Sequence, residues 1–355
     1  MEFRSDNTAG VAEEIMAAIA VANTGTAPGY GDDEISRRLE PAYSELFETD
    51  VRVFPVLTGT IANALSASVL SPPYGAIFAE AESHIYQDEC GAPELFTGGA
   101  KLIPLHGEGG KIPPEELRRR VQASGQGFVH AAQAAAFSVT QTSEAGAVYS
   151  AGEIAELSAI AKESGLGVHM DGARFANAVA ALNAGNESVS AADLTWRAGV
   201  DLLSFGATKN GALGAEAIIL FRTELADEMA FRHKRAGQLA SKMRYISAQL
   251  AAYIEDGLWL RLAAHANRMC ALLAEGLGAL ETVRLDAFGG ANELFVELPG
   301  AVIVALREEG FQFYDWPETI GAEAGRRGTI RLVTRFDTKE SEVDGLIAAV
   351  KLLAG

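Results

Sequence analysis

Leu166-Gly167-Val168-His169-Met170-Asp171-Gly172-Ala173-Arg174 is an apolar run that ends on an acid, a glycine and a base. Side chains alternate along a strand, so His169 and Asp171 point to the same side of it. Upstream, Ser150 and Glu153 have the spacing of a capping box. Ile154, Leu157, Ile160 and Ala161 then repeat at helical period, and Gly165 is the stop signal. Downstream, residues 200–205 and 217–221 are two further apolar runs. Strands that alternate with helices over this length predict βαβ units and a mostly parallel sheet. Helices on both faces of such a sheet suit the unbroken Ile218-Ile219-Leu220-Phe221.

The same rhythm extends toward the N-terminus. Residues 51–56 form a β-rich run, Thr58-Gly59-Thr60 follows, and residues 61–70 read as a helix. Residues 76–79 and 101–105 are strand candidates, Pro113 and Pro114 open a helix, and Phe128-Val129-His130 reads as the next strand. After Arg222 the pattern changes. Residues 225–280 are nearly all helical in composition, with a break near Asp256-Gly257. Strands at 293–298, 311–314 and 329–333, with helices at 301–309 and 340–353, make a smaller α+β unit. The expected division is an N-terminal segment (1–14), a large α/β domain (15–255) and a small C-terminal domain (256–355). No 20–50-residue repeat and no low-complexity linker interrupts it.

The 355 residues are 48% hydrophobic and 21% charged, an ordinary globular composition with ample chain for a large core. The net charge of −18 repels phosphate backbones and anionic lipid, which argues against nucleic acid or a membrane surface as partner. Two cysteines, Cys90 and Cys270, build no disulfide framework and suit a reducing compartment. No apolar h-region follows Met1 and no apolar run approaches about 18 residues, so neither a signal peptide nor a transmembrane helix is expected. The expected location is the cytoplasm.

Ligands of open α/β sheets bind outside the carboxyl ends of the strands. Three strand ends here carry suitable groups. Thr58-Gly59-Thr60 opens a helix, where free N–H groups and two hydroxyls suit an anion as well as a plain N-cap. Asp171 closes a buried strand and needs a donor or cation, which a ligand or Arg174 can supply. Lys209 sits in the small-residue loop Ser204-Phe205-Gly206-Ala207-Thr208-Lys209-Asn210-Gly211, as a solvated lysine or one placed to form a Schiff base. No His/Cys/Asp/Glu cluster has metal-ligand spacing.

Together and in this order, these groups resemble the site of the fold-type I pyridoxal-phosphate enzymes. Arg4-Ser5-Asp6-Asn7, Thr58-Gly59-Thr60, Ser83-His84-Ile85, Asp88-Glu89-Cys90-Gly91-Ala92-Pro93-Glu94, the His169–Arg174 stretch and Phe205–Gly211 carry the resemblance. It runs through essentially the whole chain and leads to the β-eliminating lyase group, in its low-specificity L-threonine aldolase and phenylserine aldolase branch. The implied fold is a large domain with a mostly parallel sheet between helices, plus a smaller α+β domain. The implied cofactor is pyridoxal 5'-phosphate. The implied reaction is retro-aldol cleavage of a β-hydroxy-α-amino acid (L-threonine, L-allo-threonine or phenylserine) to glycine and an aldehyde. A related reading is β-elimination on another β-substituted amino acid.

The resemblance also implies roles. Lys209 is the Schiff-base lysine. Asp171 pairs with the pyridine nitrogen and keeps it protonated. His84 stacks on the ring. Thr58, Gly59 and Thr60 bind the cofactor phosphate, and Lys242 or Arg235 from a neighbouring subunit adds positive charge. Arg174 and Arg331 hold the substrate carboxylate with help from Ser5, arginine being suited by its bidentate fork. Arg335 competes with Arg331 for that role. Many relatives have a histidine in the segment that corresponds to Thr140-Gln141-Thr142-Ser143-Glu144; Gln141 stands at the matching position and cannot act as a base. His84 is then the expected acid/base group as well as the stacking one. His106, His130, His233 and His265 read as structural or solvent-facing. The family assembles as a dimer of dimers, so a homotetramer is implied.

Overall fold

A computed structural model describes residues 1–185, 188–316 and 325–354, with side chains for all of these except 286 and 287. Seven strands form the larger sheet: β1 (Arg52–Val56), β2 (Gly75–Glu80), β3 (Lys101–Leu105), β4 (Gln133–Thr140), β5 (Gly167–Gly172), β6 (Leu202–Gly206) and β7 (Glu216–Leu220), in the order β1-β7-β6-β5-β4-β2-β3. All pairings from β6 through β3 are parallel, and β7 runs antiparallel to both of its neighbours. The mostly parallel sheet expected from the alternation is therefore present.

Burial explains why the strands lack a polar face. In β6, Leu202 belongs to one core and Leu203 to the other; in β7, Ile218 and Leu220 face one core and Ile219 the opposite one. Both faces are covered, so successive residues, not only alternate ones, gain from leaving water, by about 2 kcal/mol for a large aliphatic side chain. The helix Ala151–Glu163 starts on the expected capping box, with Ser150 and Glu153 exchanging hydrogen bonds.

Four strands form the second sheet: β8 (Arg284–Ala287), β9 (Glu293–Pro299), β10 (Tyr314–Trp316) and β11 (Arg327–Val333), antiparallel throughout, in the order β10-β11-β9-β8. The N-terminus joins it. Phe3 is buried in its core, donates its N–H to the Gln312 carbonyl and accepts from Val333 N–H. The helix Leu258–Gly278 bridges the two sheets. Leu258, Trp259 and Ala263 belong to the larger core, and Met269, Cys270, Leu273 and Leu277 to the smaller one. Its start is the expected break, where Asp256 and Gly257 take φ of 48° and 67°. Among the described residues, no helix is long and apolar enough to cross a membrane.

Three local expectations are corrected. Phe128-Val129-His130 is a turn, not a strand, with Phe128 60% and Val129 89% exposed. Phe128 N–H bonds the Gly125 carbonyl, and Ala131 N–H bonds the Phe128 carbonyl, so the segment folds on itself. The strand there is β4, which starts at Gln133. Residues 311–314 are not a strand over that whole span: Phe311 and Phe313 are core residues of the approach, and β10 begins at Tyr314. The long helical stretch breaks a second time, across residues 236–243, between the helices Ala226–Arg235 and Arg244–Ile254.

Candidate active site

The carboxyl ends of β5 and β6 and the start of the helix Gly59–Leu70 enclose a cavity of about 250 Å³. Thr58 caps that helix by accepting the Ile61 N–H at 3.3 Å. The plain N-cap role is thus real, but it leaves other first-turn amides without an intrahelical partner, at the positive end of the helix dipole. Leu57, Thr58, Gly59 and Thr60 all line the cavity. A Cβ built on Gly59 would meet no atom within 4 Å, so open space lies against the backbone there.

Asp171 lies near the end of β5, buried. Its Oδ2 accepts from Asn63 Nδ2 at 2.8 Å and its Oδ1 from the Ala173 N–H at 3.0 Å. Asn63 stands one turn into the capped helix and also donates to Glu89 Oε1 at 2.8 Å. That oxygen lies 2.9 Å from Nδ1 of His84. Four residues from three segments are thereby linked in sequence: Asp171, Asn63, Glu89 and His84. The hydrogen bond that its Nδ1 donates to Glu89 raises the His84 pKa above the ordinary histidine value. Burial raises that of Glu89. His169, one step back along β5, bonds the hydroxyls of Ser138 and Ser204, each at 2.9 Å. Burial pushes its imidazole down to about 4, so the ring is neutral and tethers three neighbouring strands.

Lys209 is half-buried and lines the same cavity from the turn Thr208–Asn210 after β6. The turn is fixed by Asn210, whose Nδ2 donates at 2.8 Å both to Tyr253 Oη and to the Trp259 carbonyl. Gly206, at the end of β6, admits no side chain, since a Cβ would lie 2.4 Å from the Ala173 carbonyl oxygen. This close approach brings the Lys209 and Asp171 turns together. Beneath them, Glu216 opens β7, and its carboxylate accepts the Ala207 N–H at 3.1 Å and the Thr208 N–H at 3.3 Å.

Arg174 is buried between two carboxylates. Its Nε and Nη2 donate to Asp6 at 2.7 and 3.1 Å, and Nη2 lies 3.3 Å from Glu293 Oε1. Burial opposes the guanidinium charge, but Asp6 and Glu293 outweigh it and the pKa is raised. For Asp6, burial is likewise outweighed, by Arg174 and Lys209, and its carboxyl stays below the usual range. Among the described residues Nη1 of Arg174 has no hydrogen-bond partner, and it is the edge that remains for a ligand.

The other expected residues lie further out. Ser5 caps the turn Asp6–Thr8, accepting from the Asn7 N–H at 3.2 Å, and Asn7 rather than Ser5 lines the cavity. Arg331 sits on β11 with its guanidinium 5.6 and 5.4 Å from the Tyr314 and Trp316 rings. Its competitor Arg335 is committed to Asp337, the Glu2 carbonyl and Glu342. Lys242 and Arg235 are exposed and do not line the cavity within one chain. Gln141 is fully buried, and its amide pairs with both backbone groups of Tyr149 at 2.8 and 3.0 Å. The group of that segment that reaches the cavity is Glu144, with Thr140 and Thr142.

Five acids and an amide were not given roles from sequence: Asp6, Asn63, Glu89, Glu144, Glu216 and Glu293. Asp6 and Glu89 lie inside quoted motifs. Glu216 and Glu293 carry the plainest signal, a lone carboxylate at the head of an apolar run. No group of three or more His, Cys, Asp or Glu that could hold a metal occurs among the described residues.

A lysine and an acid meeting at adjacent strand ends, beside a helix N-terminus, define a class, and sequence comparison gives it a name. The family model of the β-eliminating lyases matches residues 2–297, and the chain belongs to that family. Within it, the chain is similar to the low-specificity L-threonine aldolase of a Pseudomonas species, 41% identical over 99% of this chain and 97% of the relative. The enzyme of that name from Pseudomonas aeruginosa is 40% identical, over 100% of this chain and 98% of the relative. The solved structure of Leishmania major threonine aldolase superposes with a TM-score of 0.91 at 28% identity, covering 100% and 99% of the two chains. The Sphingomonas wittichii serine palmitoyltransferase, at 16% identity and a TM-score of 0.74 over 100% of this chain and 87% of that one, shares the fold alone. The architecture is the fold-type I one that the motifs led to expect.

Proposed function

We propose that the protein is a pyridoxal-phosphate-dependent aldolase that cleaves L-threonine, L-allo-threonine and L-phenylserine to glycine and the corresponding aldehyde. One observation carries this reading: Lys209, Asp171 and the open N-terminus of the helix Gly59–Leu70 line one cavity of about 250 Å³. The cavity wall fits the cofactor. It offers an amine, a buried carboxylate and a set of amides for an anion, and the buried hydroxyls of Thr140 and Thr142 have no partner among the described residues.

The cofactor, when bound, supplies an electron sink for the pair released as the Cα–Cβ bond breaks. The chain's own residues do the rest. Lys209 would offer the amine that holds the cofactor. Asp171, oriented by Asn63 and the Ala173 N–H, holds a proton on the ring nitrogen through its charge. First-turn amides and the Thr60 hydroxyl take the phosphate. Nη1 of Arg174 and the guanidinium of Arg331, with Ser5, hold the substrate carboxylate. Fixing the carboxylate selects which bond at Cα stands ready to break. His84 covers the ring and takes the β-hydroxyl proton, and Glu89 holds the imidazole by its other nitrogen.

In this reading residues 15–255 form the cofactor-binding domain and 256–355 the small domain, each supplying one arginine. The enzyme is cytoplasmic and works as a dimer of dimers, in which Lys242 or Arg235 of a second copy completes the phosphate site.

The test is direct. Protein incubated with pyridoxal phosphate should gain the visible absorbance of the lysine-bound cofactor, and Lys209→Ala should lose it. L-threonine, L-allo-threonine and phenylserine should each give glycine and aldehyde. Pyruvate and ammonia as products would replace the aldolase reading by β-elimination. His84→Asn should keep the absorbance and lose about 10²–10⁴-fold in rate, the usual worth of an acid/base group. A near-normal rate would remove His84 from that role.

A further inference from the structure

Glu216 is a buried acid hydrogen-bonded to the lysine turn, and nothing in the reaction scheme uses it. It opens β7 opposite Gly206 and Val56, so it sits under the end of β6, where the lysine turn begins. Both of its oxygens are engaged. Oε2 accepts from the Ala207 N–H and Oε1 from the Thr208 N–H, the two amides immediately before Lys209. Thr208 is tied to the same strand start through its hydroxyl, which bonds the Ala215 carbonyl at 3.3 Å. Glu216 and Lys209 line the same cavity. A helix or turn start can be held by a neutral acceptor such as Ser, Thr or Asn. A carboxylate buried from water is a costly choice for that task alone. What it adds over a neutral acceptor is a negative charge, present once the carboxyl ionises, in the wall of the cavity that Lys209 also lines.

We propose that Glu216 is a positioning residue for Lys209: its carboxylate holds the turn that carries the lysine and sets the pH at which the lysine amine gives up its proton. The inference rests on Lys209 being the cofactor lysine for its importance in the reaction, but the electrostatic claim stands without cofactor. A negative charge favours the ammonium form, so removing it lowers the pH at which the free amine appears. Burial pushes the Glu216 carboxyl up to about 7, against the pull of its two N–H donors and of Lys209. The other charged groups around Lys209 are Asp6, His84, Glu144, Asp171 and Arg174. None of them bonds the amides of its turn.

The experiment is competitive acetylation with trace acetic anhydride on the full chain stripped of cofactor, over a pH series. The Lys209 peptide is quantified by mass spectrometry against that of exposed Lys101. In Glu216→Gln the Lys209 profile should move to lower pH by about one unit, while Lys101 is unmoved. Superimposable Lys209 profiles would overturn the proposal. A purely structural role would lower thermal stability without moving the profile. Glu216→Asp is the second variant: it keeps the charge, so its Lys209 profile should stay with that of the unaltered chain, and a shift equal to that of Glu216→Gln would overturn the electrostatic claim. The visible absorbance of the cofactor-loaded protein is read in parallel. Its absence in the unaltered chain would sink the cofactor reading and leave the acetylation result to decide on Glu216.

Discussion

Glu216 and Glu293 each open a buried strand, one in each sheet, and burial raises the pKa of both. Their partners differ. Glu216 is met by two backbone N–H groups at the end of β6, where the chain has left the ladder and its amides are free to donate. Glu293 opens β9, whose backbone is engaged in the antiparallel ladder with β11, and it meets a guanidinium 3.3 Å away without an aligned hydrogen bond. Strand ends in the larger sheet thus hold charge with backbone dipoles. The smaller sheet holds its charge with an arginine borrowed from β5's turn, and the ion pairs Asp6–Arg174–Glu293 lie where the two sheets meet.

That contrast breaks most visibly at Arg174. Arg174→Met would leave Asp6 and Glu293 buried without their cation, with an expected loss of about 3–5 kcal/mol in urea unfolding. A loss below about 1 kcal/mol would mean that the two acids accommodate each other by sharing a proton. Glu216 gives the next largest effect, through pH. Its pKa is 4.5 in the unfolded chain and about 7 in the folded one, so between these values the folded chain binds the extra proton. Stability is undiminished below 4.5, falls as pH rises through that window and levels off above it, by about 3 kcal/mol in all. Urea titrations of the unaltered chain minus Glu216→Gln across the window isolate this slope. A flat difference would show that the amides of Ala207 and Thr208 fully compensate the burial.

Smaller again is Glu89→Gln. Glu89 favours the imidazolium of His84, so its removal should shift the acid limb of kcat/KM to lower pH. The smallest change is Thr58→Ala, with an expected loss of about 1 kcal/mol from the missing cap and a weakened cofactor affinity. Ser150→Ala is its control, with a similar loss from a capping box remote from the cavity and unchanged cofactor affinity.

The strands of the larger sheet and their covering helices were legible because the runs at 167–172, 202–206 and 216–220 are mostly apolar and are buried along their whole length, as two-sided burial demands. β4 was not, since Ala134-Ala135-Ala136 lacks the β-branched residues that mark a strand, while the more apolar Phe128-Val129-His130 beside it lies exposed in a turn. Small residues suit a central strand packed closely on both sides, and local propensity does not report that. In the site, the resemblance carried by the motifs pointed to Lys209, Asp171, Thr58 and His84, and the fold places all four around one cavity. The acids that surround them escaped notice. Asp6 meets Arg174 across 168 residues and Asn63 meets Asp171 across 108, and neither pairing leaves a periodic trace. Gln141, read from the sequence as a residue that cannot act as a base, spends its amide on the Tyr149 backbone.

The helix Leu258–Gly278 has one more consequence. At its middle, consecutive residues grip two different parts of the molecule. The Ala266 carbonyl accepts from Thr334, three residues beyond Arg331, and Asn267 exchanges two hydrogen bonds with Asn177, three residues beyond Arg174. The helix is therefore the pivot of a caliper whose jaws are the two arginines. An inserted residue on either side of the pivot would turn that half by about 100° and advance it by about 1.5 Å. Loops elsewhere in the chain can lengthen freely, but this rod is length-locked, and the gap between the jaws is gauged by a single peptide unit.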